Sequence, residues 1–208
     1  AAVGWTLMRR RQNRDHMSAN ADRLPPGQYE AKGWPVLHVG GVPRIDLATW
    51  RFRIFGAVAE EREFTFDEFR ALAPTTVHAD FHCVTKFSVF DNDWDGIAFR
   101  TVFEQVVPAG QVTHVMAWSH DGYNTNLPLE ALLDDDVLFA WARNGEPLSP
   151  EHGAPLRLIV PKRYAWKSAK WVKGIELMAR DRRGFWEERG YHNEAHPWAE
   201  ERYSYQEA

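Results

Sequence analysis

The chain holds a single cysteine in 208 residues. An intrachain disulfide framework is excluded, and so is a zinc site built on several thiolates. No run approaches the ~18 consecutive apolar residues that a membrane helix needs. Charge of one sign is also scarce: the net charge is -4, too mild and of the wrong sign to draw nucleic acid or an anionic membrane. There is no internal repeat and no low-complexity tract. The N-terminus lacks the order of a secretory signal, because Arg9, Arg10 and Arg11 follow a short apolar piece instead of preceding a long one. The glycine pattern of a dinucleotide-binding turn is missing as well.

What is present suits an ordinary globular protein. Hydrophobic residues make up 44% and charged residues 26%, enough for a real core. The length predicts one domain. Residues 1–23 read as a flexible arm and 24–208 as the folded unit. The Pro- and Gly-rich stretches "LPPGQY" and "GWPVLHVGGVPRID" predict extended chain. "TWRFRIFGAV" alternates Trp50, Phe52 and Ile54 with Arg51 and Arg53, the pattern of a half-buried strand. In "FTFDEFRALAP", Thr65 and Glu68 form a capping box and Pro74 closes a short helix. "TVHADFHCV", "THVMAWS", "VLFAWAR", "APLRLIVP" and "KWVKGIELMAR" read as strands, "LPLEALLDD" as a short helix, and Asn144-Gly145 as a hairpin turn. The expected class is α+β: a β-rich mixed single domain.

Three stretches carry candidate chemistry. The first is "ADFHCVTKFS". Cys83 reads either as a small buried hydrophobe, as a nucleophile, or as a thiolate ligand to a soft metal. Its neighbour His82 is a poor base for it, since adjacent residues on a strand face opposite ways. The second is "HGAPLRLIVPKRYAWKSAKWVKGIEL", which holds His152, Arg157, Lys162, Arg163, Lys167, Lys170 and Lys173. A solvated basic face is the plain reading. The interleaved Tyr164, Trp166 and Trp171, with Ser168 in a turn, also suit a bound phosphate. The third, "GFWEERGYHN", places Tyr191 beside His192 and by itself says little.

Together these stretches resemble the sulfite-oxidase-type molybdenum-cofactor domain, in its short stand-alone bacterial form. "LPPGQY", "WPVLHVGGVPRID", "FHCVT", "DNDWDG", "GYNTNLPLE", "NGEPLSPEHGAPLRLIVPKRYAWKSAKW" and "GFWEERGYHN" follow in that family's order. The resemblance implies a molybdopterin cofactor with one molybdenum. Cys83 then matches the metal ligand. His152 and Arg157 match residues that hold the pterin, and Ser168, Ala169 and Lys170 match the turn that binds it and its phosphate. Tyr191 matches the family's active-site tyrosine. His38 falls where a polar residue touches the cofactor, and Ser119 and Asp121 are further candidate contacts.

The departures matter for function. Sulfite oxidases carry an Arg-Asn-His run where this chain has Leu37, His38 and Val39, so the arginine that grips sulfite is missing. After the cysteine stand Val84, Thr85, Lys86 and Phe87, and Lys86 is offered as a partial replacement for the lost cations. The resemblance implies an oxidoreductase that moves an oxygen atom in a two-electron reaction, with an S-oxide or N-oxide as the expected substrate. Sulfite-type oxidation and a cofactor-carrying relay or storage protein are the alternatives. A β-rich binding domain with a buried thiol and a basic face is the third. The expected partners are a small-molecule substrate and a separate redox protein, with no nucleic acid and no membrane. The expected compartment is the cytoplasm, with the periplasm after removal of a leader as the alternative.

Overall fold

The computed structural model describes residues 20–207. Residues 1–19 of the expected arm lie outside the described residues. Its last residues, Ala21–Arg23, form a 3-10 turn, and Arg23 bonds Asp80 through its guanidinium.

Eleven strands appear among the described residues: β1 (Tyr29–Glu30), β2 (Phe52–Gly56), β3 (Arg62–Phe64), β4 (Pro74–His82), β5 (Phe87–Ala98), β6 (His114–Ser119), β7 (Asn124–Pro128), β8 (Leu138–Arg143), β9 (Glu146–Pro147), β10 (Arg157–Ile159) and β11 (Val172–Met178). Three short helices accompany them: α1 (Phe66–Arg70), α2 (Phe99–Phe103) and α3 (Leu129–Leu132). The first sheet runs β1-β5-β8-β10, with β4 on β5 and β9 on β8. The second runs β3-β2-β11-β6-β7. Pairing is antiparallel except for β1 with β5 and β2 with β11.

The period-2 alternation of strands divides the core. On β8, Phe139 enters the cluster shared with Phe52, Ile54, Ile175 and Leu177 of the second sheet. Its neighbours Leu138 and Ala140 point the other way, into a smaller cluster with Cys83, Phe81, Phe87 and Trp94. That second cluster lies under the 34–38 lead-in, through Trp34, and under the segment after β10, through Ala165. The first sheet therefore serves as the floor on which the loops of the site rest.

The helix α1 begins as the sequence predicts. Thr65 Oγ1 accepts from the Glu68 N–H, and the Glu68 carboxylate accepts from the Thr65 N–H at 2.8 Å. Pro74 does more than end that segment: it opens β4, where a missing N–H is tolerated. The longest strand, β5, has no counterpart in the sequence reading. Its run Asp91-Asn92-Asp93-Trp94-Asp95 is poor in strand formers. The acidic residues face outward and are paired across the ladder, Asp93 with His78 at 2.7 Å and Asp95 with Thr76 at 2.6 Å. Asn92 and Trp94 face inward and are fully buried.

Candidate active site

Cys83 follows β4 directly and starts the turn into β5. The Lys86 N–H donates to Cys83 O at 2.9 Å, and the Cys83 N–H donates to Phe87 O at 2.8 Å. Lys86 closes the turn at φ 80°, in the left-handed region. Two distant side chains clamp it: Gln28 Nε2 donates to Cys83 O at 2.9 Å and Arg202 Nη1 to Val84 O at 2.7 Å. Cys83 is 8% exposed and lines a cleft of about 190 Å³. Thr85 Oγ1 donates to its sulfur across 3.2 Å. His82 bonds Ser88 Oγ at 2.8 Å and faces a separate cavity, so it is no base for its neighbour.

The opposite wall is the chain between β10 and β11. It lies beside the "HGAPLR" loop, through Leu158 N–H to Ala169 O at 2.9 Å and Val172 N–H to Leu156 O at 2.9 Å. Gly153, at φ 113°, makes this approach fit: a Cβ there would stand 3.1 Å from Lys170 Cβ. Ser168 Oγ accepts from the Val160 N–H at 3.0 Å, which fixes the turn. Ser168, Ala169 and Lys170 line the cleft together with Cys83, His38 and Tyr191. Tyr191 stacks edge-on against Trp166 at 5.2 Å, and Trp186 is 5.1 Å away. Burial, with Tyr203 and Cys83 adding, pushes its hydroxyl above the ordinary value, so it stays a donor at neutral pH.

His152 and Arg157 stand behind the cleft rather than in its lining. The His152 ring stacks on Trp34 at 3.9 Å. Its nitrogens are engaged with Ser149 Oγ at 3.0 Å and Trp34 O at 3.1 Å. His152 therefore anchors the lead-in that carries Leu37 and His38. Arg157 is 3% exposed and sits against Trp34 and Phe81. It gives one bond, Nη1 to His152 O at 2.9 Å, and its buried Nε has no partner. Burial pushes this guanidinium down to about 9, while Cys83 opposes the shift. Lys170 is pushed down to about 7 by burial and by Arg157. Neither cation makes an ion pair with a carboxylate among the described residues. A buried guanidinium with an orphaned donor behind the cleft and a half-buried ammonium in its lining are a fit for a bound anion.

The Lys170 shift carries a sign. Unfolded, a lysine titrates near ~10.4. Between about 7 and that value the unfolded chain binds more protons, so the cofactor-free protein gains stability as pH rises through this window and loses it as pH falls. Lys170→Met is expected to raise the melting temperature of the cofactor-free protein at pH 7, flatten this pH dependence, and weaken retention of the cofactor. Thermal scans at pH 6, 7 and 9, with and without cofactor, check all three.

The other basic residues of the stretch do not converge. Lys162 pairs with Asp134 at 2.9 Å, and Arg163 lies 3.0 Å from His196 and 3.7 Å from Glu194. Lys167 is fully buried against Glu187 at 2.6 Å. Internal pairing thus takes up Lys162, Arg163 and Lys167, and of the stretch's cations Lys170 lines the cleft with Arg157 behind it. Lys86 is exposed and absent from the lining. Of the two further candidates, Asp121 lines the cleft, and Ser119 is buried with no partner for its hydroxyl. Sequence reading passed over Thr85 and Tyr123 as site residues. Tyr123 lines the cleft and donates to Trp166 O at 2.5 Å. Tyr123 has no signal short of the fold, because its partner lies 43 positions away; Thr85 stands two residues from Cys83, but only the turn geometry aims its hydroxyl at the sulfur.

Among the described residues, no helix is long and apolar enough to cross a membrane. Residues 39–186 match the model of the oxidoreductase molybdopterin binding domain, and the chain belongs to that family. It is accordingly a molybdopterin-dependent oxidoreductase. Both His38 and Tyr191 fall just outside the matched span. The chain is 38% identical over 189 residues to the uncharacterized oxidoreductase YuiH of Bacillus subtilis (strain 168), covering 90% of this chain and 96% of that one. It is 25% identical over 150 residues to a putative protein-methionine-sulfoxide reductase subunit, YedZ1, of Azospira oryzae, covering 72% of this chain and 57% of that one. Mitochondrial sulfite oxidase of Drosophila melanogaster is 28% identical over 72% of this chain and 31% of its own length. The fold is shared with the sulfane dehydrogenase SoxCD of Paracoccus pantotrophus, at a TM-score of 0.64 and 22% identity over 70% of this chain and 42% of that one.

Proposed function

We propose that this protein removes an oxygen atom from a neutral S-oxide or N-oxide. The observation that carries this reading is the lining around Cys83 and Tyr191. Leu37, Val39, Val84, Trp166 and Trp186 make apolar walls, and no arginine is in the lining. A dianion such as sulfite needs a guanidinium fork or its equivalent. A neutral oxide needs an apolar pocket and one donor for its oxygen. The likeness to a putative protein-methionine-sulfoxide reductase subunit of Azospira oryzae supports the S-oxide. Lys170 is the one cation in the lining, and it keeps sulfite-type oxidation as the second reading.

When bound, the molybdenum cofactor supplies the two-electron chemistry. Cys83 would hold the metal through its sulfur. Arg157 and Lys170 would balance the anionic charge of the cofactor, with Ser168 and Ala169 shaping the turn of the cleft. His38 Nδ1 is 2.9 Å from Gly40 O; donating there leaves Nε2 as an acceptor at the cleft. The Tyr191 hydroxyl has no hydrogen bond among the described residues. It is free to donate to the substrate oxygen as the bond from that oxygen to sulfur or nitrogen weakens. The electrons come from a separate redox protein, and the cytoplasm is the compartment we assign; fractionation of the native host tests the latter.

Steady-state assays of the loaded protein with a reduced dye and a panel of sulfoxides and N-oxides test the function. Turnover of a neutral oxide above that of sulfite is the expected result. Efficient sulfite oxidation with no oxide reduction overturns it, and bound molybdenum with neither activity favours the relay alternative. Tyr191→Phe removes one donor and is expected to lower kcat by about 10²-fold with little change in cofactor content. An unchanged kcat takes Tyr191 out of the reaction.

A further inference from the structure

Thr85 has no role in the reading above. Its hydroxyl is 3.2 Å from Cys83 Sγ and donates to it. A threonine on a free turn would sample other rotamers and bond water. This turn is not free. The carbonyls of Cys83 and Val84 are each taken by a side chain from another part of the chain, Gln28 and Arg202. Arg202 is itself held, with its guanidinium 4.8 Å over the Tyr164 ring and Nη2 bonded to Pro26 O at 3.3 Å. Lys86 closes the turn in a left-handed conformation that a non-glycine residue adopts at some cost. Three constraints hold the backbone of this turn, and from it the exposed Thr85 directs its hydroxyl at the sulfur.

We propose that Thr85 is a positioning residue that sets the reduction potential of the metal through the Cys83 thiolate. A hydrogen bond to a ligating sulfur draws electron density away from the metal. The reduced state is favoured and the potential rises. The effect needs no contact between Thr85 and substrate. The inference rests on Cys83 as the metal ligand, and the experiment separates the two.

The variants are Thr85→Val, which keeps the shape and removes the donor, and Thr85→Ser, which keeps the donor. Each is purified as holoenzyme, with molybdenum and pterin content measured. Redox titration followed by the electron paramagnetic resonance signal of the one-electron-reduced metal reads the potential. Thr85→Val is expected to shift the potential lower and change the signal's g-values, and Thr85→Ser to restore both to near the wild-type values. A Thr85→Val protein with bound molybdenum and wild-type potential and g-values overturns the inference. So does failure of Thr85→Ser to restore them, since a purely steric role of the methyl group would then explain the shift. Wild-type protein that binds no molybdenum, or a Cys83→Ser protein with an unaltered metal signal, instead fails the assignment on which the inference stands.

Discussion

Cys83→Ser is expected to fold, to retain pterin, and to lose turnover by more than the ~10–100-fold that loss of an outer-shell partner costs. The side chains are nearly isosteric, and the sulfur fills only the end of a small cluster with Phe81 and Phe87. The backbone of the turn is held by Gln28, Arg202 and the Phe87 carbonyl, none of which involves the sulfur. Folding therefore survives. The pterin side survives too, because Arg157, at the start of β10, and Lys170, in the turn before β11, stand on other segments. What is lost is a soft sulfur ligand, replaced by a hard oxygen that suits the metal poorly. Molybdenum and pterin content, with dye-linked turnover on the same sample, measure the separation. Near-normal turnover with Cys83→Ser would remove the thiol from the metal. Cys83→Ala serves as the control for packing, and is expected to match serine in activity.

Much of the fold was legible in the sequence. Strands with clean alternation, such as β2 with Phe52 and Ile54 inside and Arg53 outside, lie where period 2 puts them, and the capping box on Thr65 starts a real helix. The failure was β5, whose aspartates look like a turn until cross-strand histidine and threonine partners are known. Site legibility divides on the same line. Cys83, Ser168, Ala169, Lys170 and Tyr191 come from chain segments up to 108 positions apart and share one cleft. The resemblance placed them; no spacing rule could. His152 shows what the sequence cannot: both its ring nitrogens have partners inside the fold, Ser149 Oγ and Trp34 O, and neither partner is near it in an obvious pattern. Charge alone was the least informative signal. Seven basic or histidine side chains crowd one stretch, yet Lys162, Arg163 and Lys167 are spent on carboxylates that lie elsewhere in the sequence.

The strongest of those pairs gives the largest expected effect on stability. Lys167 and Glu187 are both fully buried, 2.6 Å apart. Lys167 Nζ also donates to Asn126 O at 2.7 Å. Glu187 Oε1 accepts from Thr125 Oγ1 at 2.8 Å and Trp166 Nε1 at 3.0 Å, while Oε2 has no partner. Burial pushes the Lys167 ammonium below its ordinary value, and Glu187 opposes that. Lys167 precedes Ser168, and Glu187 follows Trp186, so the pair ties one wall of the cleft to the other. Lys167→Met leaves a buried carboxylate without its counter-ion. The expected cost is about 3–5 kcal/mol, because an unpaired charge is far worse inside than a missing pair. For a chain of this size that is a fall in melting temperature of about 6–20 °C. The double variant Lys167→Met with Glu187→Leu removes both charges and is expected to recover most of the loss, which a mere packing defect around the substituted lysine would not allow. Thermal unfolding of the single and double variants measures this coupling directly. A single variant within about 1 kcal/mol of wild type would mean that the ion pair does not hold the walls together, and the clamp between them would then be the Trp166–Glu187 hydrogen bond instead.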